Sequence, residues 1–301
     1  MTFLILSQND KFLKVISQNV NIADKSNKIY TSDFSAKSIK KSIKYLKNLS
    51  ILIIFNEGNA TLSTQELCSL SSLVGYCISQ NVLILTNIKP LYELPFFSLT
   101  QLLFFENESE IVNYLSSNYD KILSEDEKKQ AQKKLLDKGL PFTPDSFATY
   151  IEKNKSDICN LFILGGIDIN SRNDLGTPLI NVAVRNDNVD LVKKFIELGA
   201  DINIVSEDRG YTPIMDAVWR GNLELTKLFI KHGAQLNTIS KEGQSNLVLA
   251  VGADKTKIVQ VLAKAGADPD IKDQMGMSAY GYASLFKKEE ILKILEPYHK
   301  S

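Results

Sequence analysis

The sequence predicts two folds in tandem: an α/β unit with a five-stranded parallel sheet over residues 1–120, and an all-α solenoid of stacked helix pairs over residues 140–301. Three observations carry this. Short apolar runs alternate with helical stretches through the first 120 residues. Glycine-centred helix stops recur at spacings of 33, 34 and 33 residues in the second half. The length of 301 residues suits two units better than one core, since domains usually run about 100–200 residues.

In the first half the strands are "FLIL" (3–6), "KIYTS" (28–32), "ILIIF" (51–55), "VLILT" (82–86) and "LLFFE" (102–106). Apolar runs bounded by polar turns and alternating with helices indicate a parallel sheet covered on both faces. The helices fall at about 10–20, 36–47, 63–79 and 108–117. In such a doubly wound, flavodoxin-like topology the functional crevice lies at the C-terminal strand ends. Ser7, Gln8, Asn9 and Asp10 follow the first strand, and Asn56, Glu57, Gly58 and Asn59 follow the third. Neither GxGxxG nor GxxxxGK is present, which argues against a dinucleotide or P-loop site.

The segment "LSEDEKKQAQKKLLDKG" (123–139) carries a capping box, Ser124 with Glu127 three residues on, and reads as a connecting helix over 121–139. Its lysine run reads as a solvated face rather than a nucleic-acid patch.

The second half repeats one frame. "GIDIN" (166–170), "GADIN" (199–203), "GAQLN" (233–237) and "GADPD" (266–270) each follow an apolar helical pattern, where a left-handed C-terminal position favours glycine. Between them come a turn with glycine (Gly176, Gly210, Gly243, Gly276), a first helix, a polar break and a second helix. Ala183, Ala217, Ala250 and Ala283 hold one equivalent place in the first helices, where close stacking excludes larger side chains; Tyr150 takes that place in the first unit. The second helices carry an apolar face, as Leu225, Leu228 and Phe229 do, that a neighbour must cover. "TPLINVAV" (177–184) and "TPIMDAV" (212–218) open first helices with proline, although in the former "TP" stands one residue early relative to the alanine.

This frame resembles the ankyrin repeat over residues 140–298, as five helical pairs. The motif histidine of that family is absent from every unit. The terminal units, "FTPDSFATYIEKNKSDICNLFILGG" (142–166) and "KKEEILKILEPY" (287–298), look like caps. The resemblance implies a scaffold that binds another protein through its turn tips and the outer ends of its first helices. Those outer positions are Arg185–Asn186, Trp219–Arg220, Gly252–Ala253 and Leu285–Phe286, and Thr177, Tyr211, Gln244 and Met277 follow the turn glycines. Aromatic and arginine side chains concentrate binding energy. The candidate contacts are therefore Tyr211, Trp219, Arg220, Arg185, Gln244, Met277 and Phe286.

The α/β unit is similar to two families. "FLILSQND", "IKKSIKYLKNLSILIIF" (39–55) and "STQEL" (63–67) resemble the opening strand, third strand and following helix start of TIR domains, though the tryptophan and cysteine common before the glutamate are missing. That resemblance implies an NAD-cleaving role for Glu66 alone, with NAD as substrate rather than cofactor; Ser7, Asp10 and Asn56, by their places at the strand ends, are the candidate nucleotide contacts. Equally, "TFLILSQNDKFLKVI" and "LILTN" resemble a receiver domain. Asn56 and Phe105–Glu106 stand where a receiver needs aspartate and lysine, which implies a non-phosphorylated scaffold. Glu66 also suits the first turn of a helix through the dipole alone.

Composition limits the remaining classes. The 35 basic and 35 acidic residues cancel, so no excess of charge points to nucleic acid or an anionic membrane. Cys68, Cys77 and Cys159 form no CxxC pair and lie far from His232 and His299 in sequence, so neither a metal site nor a disulfide framework is expected. The apolar runs are too short to span a bilayer, and no signal-like N-terminus is seen. The expectation is a cytoplasmic protein with no cofactor.

Overall fold

The computed structural model describes residues 1–57, 62–92 and 101–300 and divides into two compact units, Met1–Glu127 and Lys128–Ser301.

In the first unit the chain runs β1 (Thr2–Leu6), α1 (Asp10–Ala23), β2 (Lys28–Ser32), α2 (Ala36–Ser42), β3 (Ile51–Ile54), α3 (Thr64–Ser79), β4 (Leu83–Thr86), α4 (Lys89–Tyr92), β5 (Leu102–Phe104) and α5 (Glu108–Asp137). The five strands are parallel, in the order β2-β1-β3-β4-β5. Because strand side chains alternate in direction, the sheet has two apolar faces. Phe3, Ile5, Ile51, Ile53 and Leu85 pack with Phe12, Ile16, Val20, Ile111 and Leu115. Leu4, Leu6, Leu52, Ile54 and Ile84 pack with Leu70, Leu73, Val74 and Cys77. Asn9 starts α1 by accepting from the backbone N–H groups of Lys11 and Phe12.

Three details differ from the sequence reading. The predicted helix at 36–47 ends as α2 and continues as a 3-10 turn, Ile43–Asn48. The short α4 has no counterpart in the sequence reading. Ser124 is not an N-cap, because α5 runs unbroken from Glu108 to Asp137. No glycine or proline lies between Asn118 and Ser124. Continuing a helix through Ser and Asp costs only a few tenths of a kcal/mol per residue, about 0.5 relative to alanine.

The second unit stacks five helix pairs after α5: α6 (Pro144–Glu152) with α7 (Ser156–Leu164), α8 (Leu179–Arg185) with α9 (Val189–Glu197), α10 (Pro213–Arg220) with α11 (Leu223–Lys231), α12 (Asn246–Gly252) with α13 (Thr256–Lys264), and α14 (Ala279–Leu285) with α15 (Glu289–Leu295). Each first helix packs on the first helix of the next pair, and one continuous apolar core runs through the stack. Ala183, Ala217, Ala250 and Ala283 are fully buried. Tyr150 holds their place: its carbonyl accepts the Lys155 N–H as the Ala183 carbonyl accepts that of Asn188. As the first pair has no preceding pair to stack on, Tyr150 stays partly exposed.

The displaced Thr-Pro has a local consequence. Pro178 becomes the N-cap of α8, whereas Pro213 stands inside the first turn of α10 behind Thr212. A proline side chain accepts no hydrogen bond, so α8 starts without a side-chain cap; α10 does too, because its N-cap Thr212 makes no side-chain cap hydrogen bond. Ser245 and Ser278, at the same place, cap α12 and α14. Among the described residues no helix is long and apolar enough to cross a membrane.

Candidate protein-binding face

The turns between helix pairs are closed by glycines in the left-handed region. In the first of them Gly176 donates to the Asn173 carbonyl and Asn173 donates to the Thr177 carbonyl. Glycine thus ends the turn, and the crest falls on the residues before it. Leu175 is 77% exposed and Met275 83% exposed, while Arg209 and Glu242 occupy the same crest in the middle turns. The residues after the glycines turn back into the stack. Thr177 and Tyr211 are buried, and Gln244 and Met277 are half-buried.

This corrects the placement of Tyr211. It is 5% exposed, with the Arg209 guanidinium over its ring at 6.0 Å, and it supports the face from beneath. The signal for the true crest was in the sequence, since a type I turn favours glycine at its fourth position.

At the outer helix ends Trp219 is 49% exposed, Leu285 63% and Phe286 61%. Phe286 stacks on Tyr282 at 6.1 Å between ring centroids. Arg220 pairs with Asp187 of the preceding break, which leaves its guanidinium about half exposed.

Arg185 is differently engaged. Its Nε donates to both Asp216 oxygens at 3.0 Å, and its Nη1 lies 2.7 Å from Asp208. Asp216 is 1% exposed and also accepts from Asn181 Nδ2 at 2.7 Å. Burial holds the Asp216 carboxyl above its ordinary pKa against the pull of Arg185. The hydrogen bond from Arg185 holds Asp208 far below the usual carboxylate range. The two carboxylates in turn keep the Arg185 guanidinium above its ordinary value despite burial. Arg185 is therefore a brace between the second and third pairs rather than a free contact. Sequence reasoning missed Asp216 and Asn181, which look like ordinary polar positions of a short helix.

In the α/β unit Ser7, Asp10 and Glu66 line one crevice of about 580 Å³ with Thr31, Ser32, Asp33 and Ser35. Asn56 is not among its lining residues; its backbone exchanges hydrogen bonds with the Asn87 side chain. Glu66 closes a capping box with Ser63, and the Ser63 hydroxyl and backbone N–H lower its pKa. Gly58 and Asn59 lie outside the described residues. Among the described residues no three His, Cys, Asp or Glu side chains gather as metal ligands. Cys77 and Cys159 are buried free thiols, pushed by burial up to about 12 and about 11.

The family model for ankyrin repeats (3 copies) matches residues 147–240 and 214–300, together just over half of the chain. A protein of Treponema pallidum (strain Nichols) named as ankyrin repeat-containing is similar to this chain, 30% identical over 185 residues. The alignment covers 62% of this chain and 62% of that relative. With the repeated helix pairs, the glycine-closed turns and the buried alanine row, the match makes the chain a member of the ankyrin-repeat family.

Proposed function

We propose that the repeat array binds another protein through the turn crests and the outer ends of its first helices, with Trp219 and Arg220 at the centre. The observation that carries this reading is the set of large side chains left exposed at the outer ends of the first helices and on the turn crests: Trp219, Leu285, Phe286, Leu175 and Met275. Large aromatic and arginine side chains dominate interface energetics, and a rigid stack loses little entropy on binding. Replacing Trp219 and Arg220 together by alanine should weaken capture of a cross-linked partner by about tenfold or more while the far-UV spectrum and melting midpoint stay close to wild type. Equal capture by the double variant would remove these residues from the interface. The exposed Arg220–Asp187 pair contributes little to stability, so folding is a fair control.

A second reading concerns the α/β unit, favoured by the convergence of Ser7, Asp10 and Glu66 on one crevice. There the Glu66 carboxylate would stabilise the positive charge that develops as nicotinamide leaves NAD. Nicotinamide release by the purified chain, followed by chromatography, should then vanish in Glu66→Gln. Its absence from folded wild-type protein, dilute and concentrated, would leave Glu66 as a helix cap alone.

A further inference from the structure

The outer helix ends are uneven. The second, third and fifth pairs carry Arg185, Trp219 and Leu285 at one position; the fourth carries Gly252, followed by Ala253. Gly252 is exposed in the last turn of α12, and a Cβ built on it would meet no atom within 4 Å. Since α12 packs between α10 and α14, this small-residue floor lies between Trp219 on one side and Leu285 with Phe286 on the other. Neighbouring helices pack about 8–10 Å apart, so the two walls stand on axes about 16–20 Å apart. Less the depth of the wall side chains, that is about the 10–12 Å width of an α-helix. An extended peptide would find no free strand edge here for its backbone, whereas a helix satisfies its own hydrogen bonds.

The rim at the helix breaks has a sign. Asp187 is taken by Arg220 and Asp254 by Lys288. Among the described residues Lys255 and Lys287 pair with no carboxylate. The Lys255 chain lies over Gly221, its Cε 2.7 Å from where a Cβ would stand there, next in sequence to Arg220. A second copy docking end-on on the last pair is disfavoured. Where Val218 and Val251 are buried the last pair has exposed Ser284, and where Met215 and Val248 are buried it has Gly281.

We propose that this groove holds an acidic amphipathic helix of a partner protein. Its apolar stripe lies on Gly252 and Ala253 between Trp219 and Phe286, and its carboxylates face Lys255 and Lys287. This rests on the reading of the array as a binding face and names the occupant of that face.

The probe is a displayed library of random tryptophan-free peptides about four helical turns long, selected on the full chain. Selected peptides are then measured singly by acrylamide quenching of Trp219, the chain's single tryptophan. Gly252→Gln places neutral bulk over the floor, and a helix-favouring residue in open space should leave the melting midpoint at or above wild type. The expected result is enrichment of peptides with bulky apolar residues three or four apart among Asp and Glu. These should shield Trp219, bind Gly252→Gln about tenfold more weakly, and weaken clearly against the Lys255→Glu, Lys287→Glu double variant. Peptides that bind Gly252→Gln as well as wild type would overturn the groove while leaving a binding face elsewhere on the array. Enrichment of basic peptides would overturn the assigned occupant. No enrichment on the array at all would overturn both the groove and the wider binding reading.

Discussion

Replacing Arg185 by methionine should cost the repeat array about 3–5 kcal/mol at neutral pH, the loss typical of removing one partner from a buried ion pair. Methionine keeps an unbranched apolar stem, so the loss reports the missing charge and not a cavity. The charge left behind is Asp216, 1% exposed, with only Asn181 still donating to it. The pH dependence follows from the two carboxylates. Asp208 is lowered in the fold chiefly by Arg185, so its contribution is present above the unfolded carboxylate pKa and is lost as pH falls through the folded value. Asp216 is raised by burial, so its contribution has the opposite sense, present below the unfolded pKa and lost as pH rises through the folded value.

Without Arg185, Asp216 rises further and Asp208 loses its main source of lowering. The variant should therefore recover part of its deficit when the pH is lowered from about 7.5 to about 5. Denaturant unfolding of both proteins at the two pH values checks this. A loss below about 1 kcal/mol, unchanged with pH, would mean that the pair is screened like a surface ion pair.

Gly210→Ala should destabilise the array by about 2–5 kcal/mol, from a left-handed backbone cost of about 1–2 and an overpacking cost of about 1–3. Gly210 has φ +69°, and a Cβ there would stand 2.8 Å from the Lys241 backbone nitrogen. That nitrogen cannot withdraw easily, because it donates to the Arg209 carbonyl at 3.1 Å and ties one turn to the next. Gly276 is the matched control. Its φ is +78°, yet nothing lies within 4 Å of its would-be Cβ, and among the described residues no further repeat turn packs on it. Gly276→Ala should cost only the backbone part, about 1–2 kcal/mol. Equal losses in the two variants would show that the turns do not pack as closely as the geometry requires.

Much of the fold could be read from the residues because its signals are local. A glycine stop, a polar break and an apolar stripe each need only a few neighbouring residues to act, and their recurrence at one period marks the helix pairs. The strands of the first unit were likewise visible as short apolar runs. Local signals failed where a residue had two acceptable uses. Ser124 suits an N-cap, but nothing between Asn118 and Ser124 stops the helix from running through it.

The site was less legible, since exposure and pairing depend on partners one repeat away. Arg185 has the composition of a contact residue, yet Asp216, 31 residues on, turns it inward. Tyr211 follows a turn glycine and is carried under the face, while Leu175 and Met275, one residue before theirs, stand on the crests. By itself the sequence determined the period, the helix pairs and the family, all set by short-range backbone preference and apolar patterning. Only the tertiary structure decided which large side chains face solvent and which charges brace the stack, because those outcomes arise where successive repeats press against each other.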